Sequence, residues 1–288
     1  MKIAIMTDVN AGLDYVGYDT GIICLRSSIN FPNEKPLVDG VDIKADEFYE
    51  RIKNVHDSKD IPSTSAPSVA DICAELDKLV EEGYTDVIHL PISFKLSSTG
   101  QTVRKIGEEY KGKINVHVID TKAATYIQGY MATTAKKMAD EGASVDEIIK
   151  HVKYLIDHNQ SYFVVDDLGY LVKNGRLSNA KGFLGTLFKI KPILEIDKTG
   201  SIKSLMKVRT YQKAVDTLID LILKYIEKSS NVQLFAFHSI KQETIEYVID
   251  QIKEKRPDIT NIPIHYITPA VGAHIGCGVV GICAFLLK

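Results

Sequence analysis

The 288-residue chain carries 35 Lys and Arg against 37 Asp and Glu, a net charge of −2, so it lacks the basic footprint of a nucleic-acid or anionic-membrane binder. A hydrophobic fraction of 45% and a charged fraction of 25% are those of a globular chain, and the length points to two domains. Cys24, Cys73, Cys277 and Cys283 form no Cys-x-x-Cys pair, so they read as buried spectators, and neither a disulfide framework nor a metal site is expected.

The apolar run after Met1 is too short for a signal peptide, and no later run reaches the roughly 20 residues that span a bilayer. The chain is therefore expected in the cytoplasm, without stable membrane insertion. Lys2 to Thr7 reads as a first strand, with Asp8 just beyond its end, placed to cap a loop or meet a ligand; capping is the plainer reading. Thr20 to Arg26 supplies a second strand, and Pro32-Asn-Glu and Val38 to Asp42 look like turns or a small hairpin. Phe48, Ile52 and Val55 recur at helical spacing.

Pro62-Ser-Thr-Ser-Ala-Pro-Ser68 reads as a hydroxyl-rich loop in which Ser68 caps the helix through Ile72, Leu76 and Leu79. Asp86 to Ile92 has the continuous apolar character of a buried parallel strand, and Ile92 to Thr102 then crowds hydroxyl, amide and glycine residues before helical spacing resumes at Val103, Ile106 and Tyr110. A loop at the carboxyl end of such a strand is the usual ligand position in an open α/β sheet. Ile114 to Asp120 is another short strand, followed by helices toward Met138 and from Val145 to Asn159. Strands alternating with helices predict a mainly parallel, doubly wound α/β domain over residues 1–159.

Residues 160–288 predict a second α/β domain with a mixed sheet. Ser161 to Asp166 is a strand, Leu168 to Lys173 a short helix, and Asn174-Gly-Arg176 a turn. Lys191 to Asp197 and Ser201 to Arg209 flank Lys198-Thr-Gly200, the clearest hairpin signal. An amphipathic helix through Leu218, Ile222 and Ile226 follows, then a strand from Val232, a helix from Glu243 and a strand from Ile262. Pro269 to Gly278 reads as a glycine-rich loop before a final apolar strand.

Three chemistries compete for these residues. Ser93 or Ser97 with His274 and Asp120 or Asp166 has the composition of a serine hydrolase or esterase acting on a small acyl substrate, but the Gly-x-Ser-x-Gly elbow is missing. Nucleotide binding lacks both of its glycine-rich loops. A cluster of Ser and Thr hydroxyls with loop N–H groups suits a carboxylate, whose two oxygens accept roughly four hydrogen bonds, and apolar material is present for a tail. An amphipathic acid fits best, held by a carrier or by a lipid sensor.

Seven stretches, in order, resemble the DegV family of bacterial fatty-acid-binding proteins: Thr64-Ser-Ala-Pro-Ser68, Ile92-Ser-Phe-Lys-Leu-Ser-Ser-Thr99, Asp120-Thr121, Tyr170-Leu-Val-Lys-Asn-Gly-Arg-Leu177, Lys191-Pro-Ile-Leu194, Lys207-Val-Arg-Thr210 and His274-Ile-Gly-Cys-Gly278. The resemblance implies a two-domain fold that buries one long-chain fatty acid between its domains and has no catalytic residue or further cofactor. It implies a carboxylate held by Thr64 and Ser93, with Ser65, Ser97, Thr99 and His274 close by. It further implies that Arg176 helps present the acyl group to a separate fatty acid kinase, whose acyl phosphate product feeds phospholipid synthesis. Lys173, Lys181 and Lys189 share that basic face, which reads otherwise as solvated surface. Val9, Ser98, Gly100, Asn174 and Cys277 depart from the family pattern.

Overall fold

In the computed structural model residues 2–55, 57–178 and 190–288 are described, and three sheets organise them. The first part of the chain forms β1 (Ile3–Asp8), β2 (Ile23–Leu25), β3 (Ser28–Asn30), β4 (Leu37–Val38), α1 (Ala45–Ile52), β5 (Ser63–Ser65), α2 (Val69–Glu81), β6 (Asp86–His89), α3 (Thr99–Glu109), β7 (Asn115–Val118), α4 (Thr125–Asp140) and α5 (Val145–Asp157). The remainder forms β8 (Asn159–Val164), α6 (Gly169–Lys173), β9 (Lys191–Ile196), β10 (Ile202–Val208), α7 (Tyr211–Ile226), β11 (Val232–His238), α8 (Gln242–Lys255), β12 (Ile264–Tyr266), α9 (Pro269–Ile275) and β13 (Val280–Leu286).

The order β2-β1-β6-β7 makes a parallel sheet, in which Met6 pairs with Ile23 on one side and His89 on the other. The order β10-β9-β8-β13-β11-β12 makes a mixed sheet, where only the β11–β12 pair is parallel. This is the α/β class that the sequence leads one to expect. Local signals explain much of it. Ser68 and Asp71 close a reciprocal capping box on α2, as Ser144 and Glu147 do on α5.

Two stretches differ from the sequence reading. The Thr64 stretch is not a free loop but the strand β5, edge partner in a small antiparallel sheet β4-β3-β5 in which Thr64 lies opposite Ile29. Three consecutive hydroxyl residues carry no apolar alternation, so only the neighbouring β3 makes them a strand. Pro269 to Ile275 is not a loop but α9, with Thr268 as its cap and Pro269 in the first turn. Its interior Gly272 is a packing residue: a Cβ there would stand 2.7 Å from both the Phe48 ring and the Tyr49 hydroxyl of α1.

Apolar side chains sort into three cores. On the outer face of the parallel sheet, Ala4, Leu25 and Val87 meet Ile72, Leu76 and Val103 of α2 and α3. On the outer face of the mixed sheet, Ile193, Leu234 and Ile282 meet Leu218, Ile222 and Val248 of α7 and α8. Between the sheets lies the largest core. Ile5, Ile88 and Leu90 enter it from one side and Phe163, Leu194 and Phe285 from the other, around α1, α4, α5, α6 and α9. The four cysteines are free, and only Cys283 is fully buried. No described helix is long and apolar enough to cross a membrane.

Candidate functional site

β6 ends at His89, and Pro91, with no N–H to donate, helps turn the chain out of the sheet. Hydroxyls take the two carbonyls at the exit: Thr7 Oγ1 donates to Leu90 O (2.7 Å) and Thr121 Oγ1 to Pro91 O (2.6 Å). The next three N–H groups go to Asp8 Oδ2 (2.9 Å, from Ile92), Ala123 O (2.8 Å, from Ser93) and Asp120 Oδ1 (3.1 Å, from Phe94). The two strand-end carboxylates are therefore loop anchors. Asp8 is fully buried and also accepts from Asn10 and Gln128. Burial pushes its carboxyl above the usual range, against the opposing pull of those hydrogen bonds.

Ser93, at the centre of this loop, is fully buried. Its Oγ accepts the Lys95 N–H (3.2 Å) and donates to Gly200 O (2.8 Å) in the turn between β9 and β10. Gly200 has φ +83°, and a Cβ there would collide with Ser93 Oγ and lie 3.2 Å from Lys122 Cα, so only glycine allows the turn to come this close. Further along, Ser97 Oγ and Thr99 Oγ1 are 3.0 Å apart, and Ser97 Oγ accepts the Thr99 N–H (3.2 Å) at the start of α3. Leu96 O accepts from Arg176 Nε (3.2 Å).

On β5, Thr64 Oγ1 stands 2.8 Å from His274 Nε2 in the last turn of α9. His274 Nδ1 is buried without a hydrogen-bond partner among the described residues. Burial, with the Arg176 charge adding to it, pushes His274 down to about 4, so the ring is neutral at pH 7. Both ends of α9 are tied: Asp39 Oδ2 accepts the Ala270 N–H (2.7 Å), and Asn174 Nδ2 donates to Ala273 O (3.0 Å). Lys173 Nζ reaches Ile61 O (2.6 Å), joining α6 to the segment before β5. Asp39 is itself pushed up to about 7 by burial.

Thr64 and His274 thus meet, Ser97 and Thr99 meet, and Arg176 ties the second pair's loop to the neighbourhood of His274. Ser93 faces the hairpin turn instead. Ser65 does not join them: strand alternation turns it away from the Thr64 face, where it is exposed and accepts from Asn30 Nδ2 (2.9 Å). Arg176 is half-buried rather than a free surface group, and Lys181 and Lys189 lie outside the described residues. The components of a hydrolase each have another partner, since Ser93 donates to Gly200, His274 Nε2 meets Thr64, Asp120 accepts from the Phe94 and Lys122 N–H groups, and Asp166 pairs with Lys241 (3.1 Å). Among the described residues no cluster of His, Cys, Asp and Glu could hold a metal ion.

Gly200, Asp39 and Gln128 escape a sequence reading. Gly200 signals only a hairpin, Asp39 sits in a turn-like Val-Asp-Gly, and Gln128 is one polar residue inside an apolar helix. Nothing local says that they touch residues far away in the chain.

A family model described as "uncharacterised protein, DegV family" matches residues 2–286. The chain belongs to the DegV family. A DegV domain-containing protein of Staphylococcus aureus strain N315 is 32% identical over 283 residues, covering 98% of this chain and 96% of its own. The fold is similar to that of a fatty acid binding DegV family protein from Streptococcus agalactiae, with a TM-score of 0.89 at 27% identity over 100% of both chains. It is also similar to DegV of Bacillus subtilis, described as a fatty acid binding protein, with a TM-score of 0.86 at 27% identity over 100% of both. The resemblance carried by the seven stretches is therefore correct at the level of the family. Gly100 is required locally: a Cβ there would lie 2.6 Å from Pro91 Cγ and strike the Phe94 ring.

Proposed function

We propose that this DegV-family protein is a carrier that binds one long-chain fatty acid between two units, residues 1–159 and 160–288, and presents it in the cytoplasm to a separate fatty acid kinase. The observation that carries this reading is the Thr64–His274 pair, a hydroxyl held by a neutral, partly buried imidazole beside the hydroxyl-rich loop. If Nε2 bears the proton, it donates to Thr64 Oγ1 and leaves the threonine O–H free for a carboxylate. A charged imidazolium would instead act as the counter-ion itself, and burial opposes that form. Ser93, Ser97 and Thr99 complete the head-group site in this reading, and Arg176 connects it to the face that meets the kinase. DegV-family relatives of the same fold that are described as fatty acid binding proteins support it.

The energetics divide the work between tail and head. Burying an acyl chain yields about 0.8 kcal/mol per methylene, on the order of 10 kcal/mol gross before association and ordering costs. The tail thus supplies most of the affinity, and the hydroxyls orient the carboxylate. Mass spectrometry of an organic extract is expected to show an acyl acid, native or after incubation with one. Finding none in either case would overturn the reading. Transfer is checked by adding a fatty acid kinase and ATP to the loaded protein and trapping acyl phosphate with hydroxylamine.

A further inference from the structure

Building on the fatty-acid reading, we propose that the turn at residues 197–201 is a ligand-sensitive latch, released when a free carboxylate replaces Gly200 O as the acceptor of the Ser93 hydroxyl. A serine hydroxyl has one proton to give. Here it goes to Gly200 O at 2.8 Å, while the same Oγ accepts the Lys95 N–H. A carboxylate can only accept, so Ser93 serves either the ligand or Gly200. Space imposes the same choice: Ser93 is fully buried, and a Cβ on Gly200 would lie 3.1 Å from its Cβ. A ligand oxygen reaches Ser93 only if the turn gives way.

The N–H groups of the turn bond inside it, so they stay protected only while Ser93 holds the turn in this shape through Gly200 O. Asp197 Oδ1 accepts from Thr199 N (2.9 Å), Thr199 Oγ1 (2.6 Å) and Ser201 N (3.1 Å), and the same carboxylate pairs with Lys203. Lys198 Nζ anchors it from behind to Asp157 O (2.9 Å) and Asn159 O (3.1 Å), contacts that do not involve the Ser93 loop. The latch also sets the ligand class. An ionised carboxylate is a stronger acceptor than a peptide carbonyl and can win the hydrogen bond, whereas an ester carbonyl cannot. The site therefore opens to free acids and not to their esters.

The test uses the full chain stripped of lipid, with oleate and methyl oleate as probes. Hydrogen–deuterium exchange follows residues 197–201, and native mass spectrometry reports binding. Oleate is expected to speed exchange in the turn several-fold and methyl oleate to leave it unchanged. Ser93→Ala should exchange fast without ligand and show no further response. Gly200→Ala, whose added Cβ displaces the turn, should bind oleate several-fold more tightly, the opposite of what general damage to the site would do. Oleate bound with turn exchange unaltered, a Ser93→Ala turn as protected as in the parent, or weaker oleate binding by Gly200→Ala would each overturn the latch. Absence of any oleate uptake by the parent would overturn the fatty-acid reading and its ligand coupling, while the exchange of Ser93→Ala would still decide whether Ser93 holds the turn.

Discussion

Thr64, on the edge strand β5, and Ser93, in the loop after β6, are both hydroxyls on short segments, yet they are held by opposite means. Thr64 belongs to a three-residue strand with little apolar burial of its own, and its hydroxyl is oriented by one side chain, His274, from an element 210 positions away in the chain. Ser93 sits in a loop whose consecutive N–H groups are pinned by Asp8, Ala123 and Asp120, so its backbone is fixed before any ligand arrives. The difference teaches that one half of the proposed head-group site is adjustable through a side chain and a helix, α9, and the other through a hairpin turn resting on a rigid loop. Substitutions should therefore divide into those that damage the fold and those that damage recognition.

The largest effect is expected for Asp8→Ala. It leaves the buried N–H groups of Ile92 and Asn10 without their acceptor, which should cost about 3 kcal/mol or more of stability in urea unfolding. A loss below about 1 kcal/mol would mean that the Ser93 loop is not anchored from β1, and the contrast with Thr64 would collapse.

Next comes the support of α9. Between pH of about 4 and 7 the folded chain keeps a proton on Asp39 that the unfolded chain has released, because burial holds its pKa up at about 7. This contribution favours folding at the acid end and is lost as pH rises through about 7. Asp39→Asn should remove a decline on the order of 2 kcal/mol between pH 4.5 and 7.5, measured as the difference between the two proteins' unfolding free energies. Parallel curves would show that Asp39 is ionised beneath α9 throughout.

Recognition should respond more modestly. Thr64→Val, which removes the hydroxyl but keeps the shape, is expected to weaken fatty-acid binding about 10-fold with little change in stability, whereas Thr64→Ser should stay within about threefold of the parent. Equal affinities for all three, by titration with a fluorescent fatty acid, would remove Thr64 from the site. The smallest effect belongs to Ser65→Ala, exposed on the far side of β5, which should change affinity and stability by less than about 0.5 kcal/mol.

Much of the fold was legible in the sequence because its signals are local. The Ser68 cap on α2, the hairpin around Gly200 and the continuous apolar run of β6 each act within a few residues, and each is found in the structure. The DegV motifs marked Thr64, Ser93 and His274 as the residues to watch, but not what each touches. The glycines of Pro269 to Gly278 spoke for a loop because nothing local reveals that Gly272 is required by the Phe48 and Tyr49 side chains of α1. Ser65 looked equivalent to Thr64 because the side-chain alternation that separates them arises only once β5 pairs with β3.

The stretch after β6 shows the division most plainly. Its composition alone marked a polar, hydrogen-bonding loop at the carboxyl end of a parallel strand, since hydroxyls and glycine directly after a buried apolar run have little other use. Only the tertiary structure decided which partners those groups take: Asp8 and Asp120 for the backbone, Gly200 for the Ser93 hydroxyl, Arg176 for the carbonyl of Leu96. Periodicity and capping act over a few residues and can be read along the chain. A hydrogen bond between Ser93 and Gly200 joins positions 107 apart, and it exists only because two sheets fold around one shared core.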